Sequence, residues 1–516
     1  MSALQALAQS IAARGTPRVF GIPGSGPSLT LIDALDKAGI PFITTHFEGS
    51  AAVMAGVTGY LSGQAGAAVC IKGPGLANMA PGLAFCSLEG FPMVALAEAY
   101  TPDTPSGKAH KRLDHGGLVA AVSKGHRFLS KSGPDYGALA DWAEADKAGA
   151  VLLNIAAEAI DRDDPLPSMV EADTGIGEIL SRLGQSQRPV LIAGTLAIRQ
   201  KWTEHLNGLS IPIFTTAAAK GAVDETLAHA AGVYTGAGLD RVCEKTVLPQ
   251  ADLIIGLGLR SSEVLVSGNL PCAAVNIDPL GNAETPGFEF DSVAGTQEIG
   301  ALFDALKDAS WGLGDIAATH QALRTRLLEQ AFLPAQVFET LAARFDGQAR
   351  LTVDTGYFCT IAEHAWQART PGDFLGAGQS RYMGAGLPMA IAAALHDPNK
   401  PVIAALGDGG IGMYAAEAKL AVRHKLPLLI VLLSDGGFGS VRTRAINNGL
   451  TQQPLLIPHP SWLQAFDGLG IPGASVKSEP EFEKALADWN PASGPCYIEA
   501  AFDPDAYQDM VSGVRA

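Results

Sequence analysis

The chain has 516 residues, 47% of them apolar and 17% charged, with a net charge of -16 and a mean hydropathy of +0.18. At about 100 to 200 residues per domain it has room for roughly three domains with large cores, and this composition excludes disorder along most of its length. The 52 Asp and Glu outnumber the 36 Lys and Arg, which argues against nucleic acid, a partner that needs a basic face.

The six cysteines, Cys70, Cys86, Cys243, Cys272, Cys359 and Cys496, form no CxxC pair. Neither a zinc site nor a disulfide framework is indicated, and a reducing cytoplasm is the expected location. The start, MSALQALAQSIAARG, has no basic segment leading into an apolar one. No run approaches the ~18 apolar residues of a membrane span, so no membrane partner is expected.

Along the chain, short apolar runs bounded by Gly, Pro or Ser alternate with longer Ala-rich stretches, the rhythm of parallel strands covered by helices. Strands are predicted at Arg18–Phe20, Ala67–Ile71, Met93–Ala97 and Ala150–Asn154. The charged, proline-containing segment Asp161–Pro167 then reads as a linker. Further strands follow at Pro189–Ala193, Leu253–Leu257 and Ala273–Ile277, and a second break falls at Ser310–Asp315, before a helical run over Ala317–Ala343. The last three predicted strands are Val402–Ala405, Leu428–Leu433 and Cys496–Ala500. None alternates strictly between apolar and polar, as a half-exposed sheet would. The expected fold class is therefore α/β, with three doubly wound parallel-sheet domains at about 1–160, 175–305 and 325–516.

The strongest local motif is Gly407-Asp408-Gly409-Gly410, placed after the strand VIAAL and before a helical stretch. After the next strand comes Ser434-Asp435-Gly436-Gly437-Phe438-Gly439. In a right-handed βαβ unit Asp408 and Asp435 stand at the carboxyl ends of neighbouring strands, where open parallel sheets bind ligands. Two carboxylates among glycines could form an oxygen cage for Mg²⁺ holding a phosphorylated ligand. Each motif alone also describes an ordinary glycine turn with a capping or solvated aspartate.

Together the two motifs resemble the GDG…NN signature of thiamine diphosphate (ThDP) enzymes, in their acetolactate synthase and benzoylformate decarboxylase branch. Val19-Phe20-Gly21-Ile22-Pro23-Gly24, His46-Phe47-Glu48-Gly49, Lys72-Gly73-Pro74-Gly75-Leu76-Ala77-Asn78 and Met383-Gly384-Ala385-Gly386-Leu387-Pro388 resemble further segments of that family, in its order. The resemblance implies three domains: pyrimidine-binding, central Rossmann-like and diphosphate-binding. It gives Glu48 the role of hydrogen-bonding the aminopyrimidine of ThDP. The apolar run FEGSAAVMAG suits a carboxylate that shares a proton with a ring nitrogen. The same residue is equally a helix-initiating acid.

By the same resemblance Asp408, Asp435 and the Gly437 carbonyl would bind Mg²⁺. Pro23, Gly24, Ser25, Gly73, Asn78, Met383, Gly407, Gly409, Gly410, Phe438 and Gly439 would line the cofactor. Asp435 stands where the family usually has asparagine, and Lys72 where it usually has serine. His110 and Lys111 fall near a substrate-facing pair, so Lys72, His110 and Lys111 join Glu48 as candidate catalytic residues, with solvated loop charges as the alternative. The implied activity is a ThDP- and Mg²⁺-dependent cleavage or formation of the bond beside the keto carbon of a small 2-oxo acid, by a lyase or transferase. A simple decarboxylase of the benzoylformate decarboxylase type and a non-catalytic ThDP-binding relative are the alternatives. A homodimer or homotetramer with shared sites is implied, and FAD in the central domain is left open without being indicated. A nicotinamide dehydrogenase finds little support, because Gly256-Leu257-Gly258 lacks the third glycine of GxGxxG.

Overall fold

In a computed structural model of the chain, residues 2–131, 135–161, 165–167, 175–281, 285–329, 332–457 and 460–514 are described. Part of the predicted linker, residues 162–164, lies outside them. The chain divides into two compact units. The first comprises Met1–Ser168 with the later segments Leu387–Asn399 and Tyr414–Leu426, and the second comprises the rest.

The first unit holds a six-stranded parallel sheet of β1 (Val19–Gly21), β2 (Phe42–Thr44), β3 (Gly66–Cys70), β4 (Met93–Glu98), β5 (His126–Phe128) and β6 (Ala150–Ile155), in the order β2-β1-β3-β4-β6-β5. On one of its faces Leu4, Leu7, Leu31 and Leu35 from the first two helices and Leu139 and Trp142 from a later one pack against Val69, Val94, Leu96 and Leu153.

The second unit holds two more. One contains β7 (Pro189–Ala193), β8 (Ile213–Thr215), β9 (Ala230–Val233), β10 (Leu253–Leu257), β11 (Ala273–Ile277) and β12 (Ser292–Ala294), ordered β12-β11-β10-β7-β8-β9. The other contains β13 (Arg350–Val353), β14 (Phe374–Gly376), β15 (Val402–Gly407), β16 (Leu428–Ser434), β17 (Gly473–Val476) and β18 (Cys496–Ala501), ordered β14-β13-β15-β16-β18-β17. All three sheets are parallel throughout.

The missing alternation has a direct cause. In β7, Leu191 and Ala193 enter one core cluster and Val190 and Ile192 another; in β10, Leu253, Ile255 and Leu257 join the first and Ile254 the second. Both faces are covered, so every position is apolar. Among the described residues eighteen strands exist where ten were predicted. The predicted helical run Ala317–Ala343 is two helices, Leu313–Leu327 and Pro334–Phe345; Pro334 sits at the start of the second, where a missing backbone N–H costs nothing.

Candidate active site

The first unit places Pro23, Gly24, Ser25, Glu48, Lys72 and Gly73 beyond the carboxyl ends of β1, β2 and β3, and His110 and Lys111 in the loop after β4. Glu48 opens the helix Glu48–Ser62 directly after the β2 turn and is buried, 6% exposed. The Asn78 side-chain amide donates to Glu48 Oε2 at 3.2 Å. Gly75 borders the other oxygen: a Cβ there would stand 3.4 Å from Glu48 Oε1, an ordinary contact, and would strike Ile71 Cγ1 at 2.7 Å.

The residue before this helix, Phe47, supplies no side-chain cap. Glu417, also in the first unit and 1% exposed, does so instead. Its carboxylate accepts from the backbone N–H groups of His46 and Phe47, both at 3.0 Å, and from Ser50 Oγ at 2.5 Å. A carboxylate at a helix start answers both the unpaired N–H groups and the helix dipole. Glu417 thereby fixes the turn that presents Glu48.

A second buried carboxylate ties two of the candidate loops together. Glu98, which ends β4, accepts from Ser28 N at 3.0 Å, Ser28 Oγ at 2.6 Å and Lys72 Nζ at 3.0 Å. Ser28 Oγ in turn accepts from Gly24 N at 2.9 Å. Burial alone would raise the proton affinity of Glu98, but the Ser28 and Lys72 hydrogen bonds outweigh it and hold the carboxyl below its usual range. Lys72 is therefore part of an ion pair, with further N–H groups left to meet a ligand. Pro23 and Ser25 are exposed in the turn that Gly24 anchors.

Gly73 has φ +66°, and a Cβ there would strike the Lys111 carbonyl at 2.2 Å. The loop carrying His110 and Lys111 therefore packs on the loop carrying Lys72. Gly73 N donates to His115 Nε2 at 3.2 Å, which assigns the ring proton to Nδ1, 2.7 Å from Asn154 Oδ1. Burial lowers the proton affinity of His115 and favours this neutral form. A cavity of about 330 Å³ opens here, lined by Lys72, Tyr100, Arg112, His115, His126 and Asn154 among others. The Lys72 ammonium and the Arg112 guanidinium lie 5.3 and 5.7 Å from the Tyr100 ring centre. His110 and Lys111 are exposed and outside its lining.

In the second unit β15 and β16 are paired with Gly407 opposite Leu433, which brings Asp408 next to the following residues, Ser434 and Asp435. Asp408 Oδ1 accepts from Ser434 Oγ at 2.8 Å, and Oδ2 from Asp435 N at 2.9 Å and Gly436 N at 2.8 Å. Burial and the Asp408 carboxylate push Asp435 up to about 7. Gly439 lies against it, where a Cβ would meet Asp435 Oδ2 at 2.1 Å. Gly409 faces both Phe438 Cε1 and Met383 Sδ, at 2.6 and 3.0 Å from where its Cβ would be, so these three candidates meet. Phe438 N donates to Leu455 O at 2.9 Å, and neighbouring Gly437 packs on the same carbonyl.

Asp354, after β13, accepts from Gly384 N at 2.8 and 3.0 Å and packs on Gly410. Burial pushes it up to about 7. It thus joins the Met383 loop to the Gly407–Gly410 turn.

These residues fit a metal-bound diphosphate. Two like carboxylates face each other, which raises the proton affinity of Asp435, and a divalent cation between them would relieve that repulsion. Among the described residues no group of three or more His, Cys, Asp or Glu side chains is arranged to hold a metal ion. A cation held by Asp408 and Asp435 would therefore draw its other oxygens from backbone and ligand. Sequence reasoning missed Ser28, Glu98, His115, Asn154, Asp354, Glu417 and Ser434. Glu98 carried a visible signal as the single acid of the apolar strand MVALAE, and Ser434 stood inside the Ser434–Gly439 motif.

The N-terminal, central and C-terminal domain models of the thiamine pyrophosphate enzymes match residues 1–116, 176–281 and 354–500. The chain is 24% identical to the acetolactate synthase isozyme 3 large subunit of Escherichia coli (strain K12), over 95% of this chain and 92% of that one. It is 26% identical to the isozyme 2 large subunit of the same organism, over 98% and 96%. In fold it is similar to the Rhodococcus jostii RHA1 thiamine diphosphate-dependent 4-hydroxybenzoylformate decarboxylase, with a TM-score of 0.80 at 20% identity, covering 98% of this chain and 99% of that one. With all three domain models matched in order over well more than half of its length, the chain belongs to the thiamine pyrophosphate enzymes.

Proposed function

We propose that the chain is a ThDP- and Mg²⁺-dependent enzyme that cleaves the bond beside the keto carbon of a small 2-oxo acid, with or without joining the fragment to a second carbonyl compound. The observation that carries this reading is Glu48, a buried carboxylate bonded to Asn78 at one oxygen and bordered by Gly75 at the other. Such a group suits hydrogen bonding to a ring nitrogen of the cofactor. ThDP supplies an electron sink for the carbon from which the carboxylate leaves. Asp408 and Asp435, with the Gly437 carbonyl, would hold the metal; Met383, Gly409 and Phe438 would support the cofactor.

The cavity beside Lys72 supports an acid bearing a polar or second anionic group. Lys72 and Arg112 supply its cations against a chain that is otherwise strongly acidic. In this proposal the pyrimidine-binding, central and diphosphate-binding domains span 1–160, 175–305 and 325–516. The enzyme works in the cytoplasm as a homodimer or homotetramer, each site built from the first domain of one copy and the third of another. Simple decarboxylation is the second reading, favoured by the PGSG turn around Ser25, which resembles the PGS of benzoylformate decarboxylase, where such a serine meets the substrate carboxylate. A screen of 2-oxo acids with ThDP and Mg²⁺, following CO₂ and products by mass, tests the proposal. Release of CO₂ from at least one acid is expected. No turnover of any acid by protein that retains ThDP would leave the non-catalytic reading standing.

A further inference from the structure

The central sheet changes direction between β7 and β10. From β7 the chain builds β8 on one side and later β10 on the other. In doubly wound sheets the crevice at that reversal, outside the carboxyl ends of the strands, is where a nucleotide sits. Three features serve it there: free N–H groups at the helix start for the pyrophosphate, a glycine turn that lets backbone approach it, and an acid on the ribose about 20 residues further on.

All three are absent or taken here. Glu263 reaches into the crevice from the loop after β10 and is 3% exposed. Its Oε2 accepts from Thr195 N at 2.8 Å and Thr216 Oγ1 at 2.8 Å, and its Oε1 from Thr195 Oγ1 at 2.5 Å. Thr195 is the first residue of the helix after β7, so the N–H a pyrophosphate would use is bonded to the chain's own carboxylate. Gly194 offers no approach, because the Gly258 carbonyl stands 2.1 Å and Glu263 Oε2 2.9 Å from where its Cβ would be. The residues at the end of β8, where a ribose-binding acid belongs, are Thr215 and Thr216.

The loop that carries Glu263 is itself tied down. Asn276 exchanges two hydrogen bonds with the Leu259 backbone, at 3.1 and 3.2 Å. Arg260, 1% exposed, grips Asp278 through two bonds of 2.6 and 2.8 Å. An incoming diphosphate would have to dislodge a buried, fully bonded carboxylate and would meet its negative charge.

We infer that Glu263 is the permanent occupant of the central domain's nucleotide crevice, and that the chain holds no FAD, ADP or other adenine nucleotide there. The clasp takes the place such a ligand would have in stabilising the domain. Two measurements on the full chain loaded with ThDP and Mg²⁺ test this. Purified protein incubated with 1 mM FAD or ADP and then gel-filtered should carry less than about a tenth of a nucleotide per chain, with a melting shift below about 1 °C. Glu263→Ala strands the Thr195 and Thr216 donors, and should melt about 3 °C or more below wild type while turnover at 25 °C stays within about twofold. If that variant does not fold, Glu263→Gln, which keeps the shape but not the full acceptor set, should show a smaller drop. Near-stoichiometric flavin or ADP on the wild type, or an unchanged melting temperature in both variants, would overturn the inference.

Discussion

Replacing Asp435 by asparagine separates charge from shape at the proposed metal site. In the metal-free protein, burial and the neighbouring Asp408 carboxylate push Asp435 up to about 7. An aspartate in the unfolded chain ionises near pH 4, to about half a unit. At low pH both states hold the proton and folding is unaffected. As pH rises above about 4 the unfolded chain loses its proton first, which draws the equilibrium toward unfolding, and the cost is complete once pH passes about 7. A tenfold difference in proton affinity is worth about 1.4 kcal/mol. With part of the effect carried by Asp408, the cost at pH 8 is on the order of 3 kcal/mol. Asp435→Asn has no proton to lose and keeps an oxygen in place. In EDTA at pH 8 its second-unit transition should melt about 5 °C or more above wild type by scanning calorimetry, a gap that narrows toward pH 5. Mg²⁺ should then stabilise wild type more than the variant, because the metal relieves the repulsion between two ionised carboxylates. A variant that melts at or below wild type at pH 8 in EDTA would refute the like-charge argument.

Three other outcomes follow from the geometry. Glu417→Ala leaves the His46 and Phe47 N–H groups and Ser50 Oγ without their acceptor; at about 1–3 kcal/mol for a stranded buried group, it should melt several degrees lower, and an unchanged transition would show that the cap contributes nothing. Lys72→Ala and Arg112→Ala should each raise KM for an anionic 2-oxo acid about tenfold with ThDP affinity unchanged, whereas a neutral aldehyde turned over best, with both variants silent, would make these cations ordinary surface charge. EDTA should release ThDP from wild type and Asp408→Ala should not retain it after gel filtration, an expectation that fails if cofactor affinity is unaltered by chelation.

How much of this was legible in the sequence depended on where each element lies. The ten predicted strands all occupy interior positions, where apolar residues on both faces leave a continuous run. Six of the eight missed strands, β2, β5, β9, β12, β14 and β17, are the edges of the three sheets. An edge strand is short and flanked on one side only, so its residues, as in His126–Phe128, need not be uniformly apolar. The other two misses are β8, three residues long, and β13. The latter begins with Arg350 and contains Thr352, polar groups satisfied in the interior by the Gly372 and Gly386 carbonyls. At the candidate site, glycine and carboxylate motifs were readable because their spacing is local. Glu417 and Asp354 were not, since each works on a segment 30 or more residues away, and nothing in a linear pattern marks such a partner.

The central claim is that Glu48 prepares the bound cofactor for chemistry, and hydrogen–deuterium exchange at C2 of bound ThDP tests it most directly. Wild type loaded with ThDP and Mg²⁺ should exchange that proton rapidly. Glu48→Gln should bind ThDP with similar affinity and exchange about 10²- to 10⁴-fold more slowly, the range expected for loss of a general acid or base. Exchange at the wild-type rate in the variant, with cofactor bound, would contradict the account.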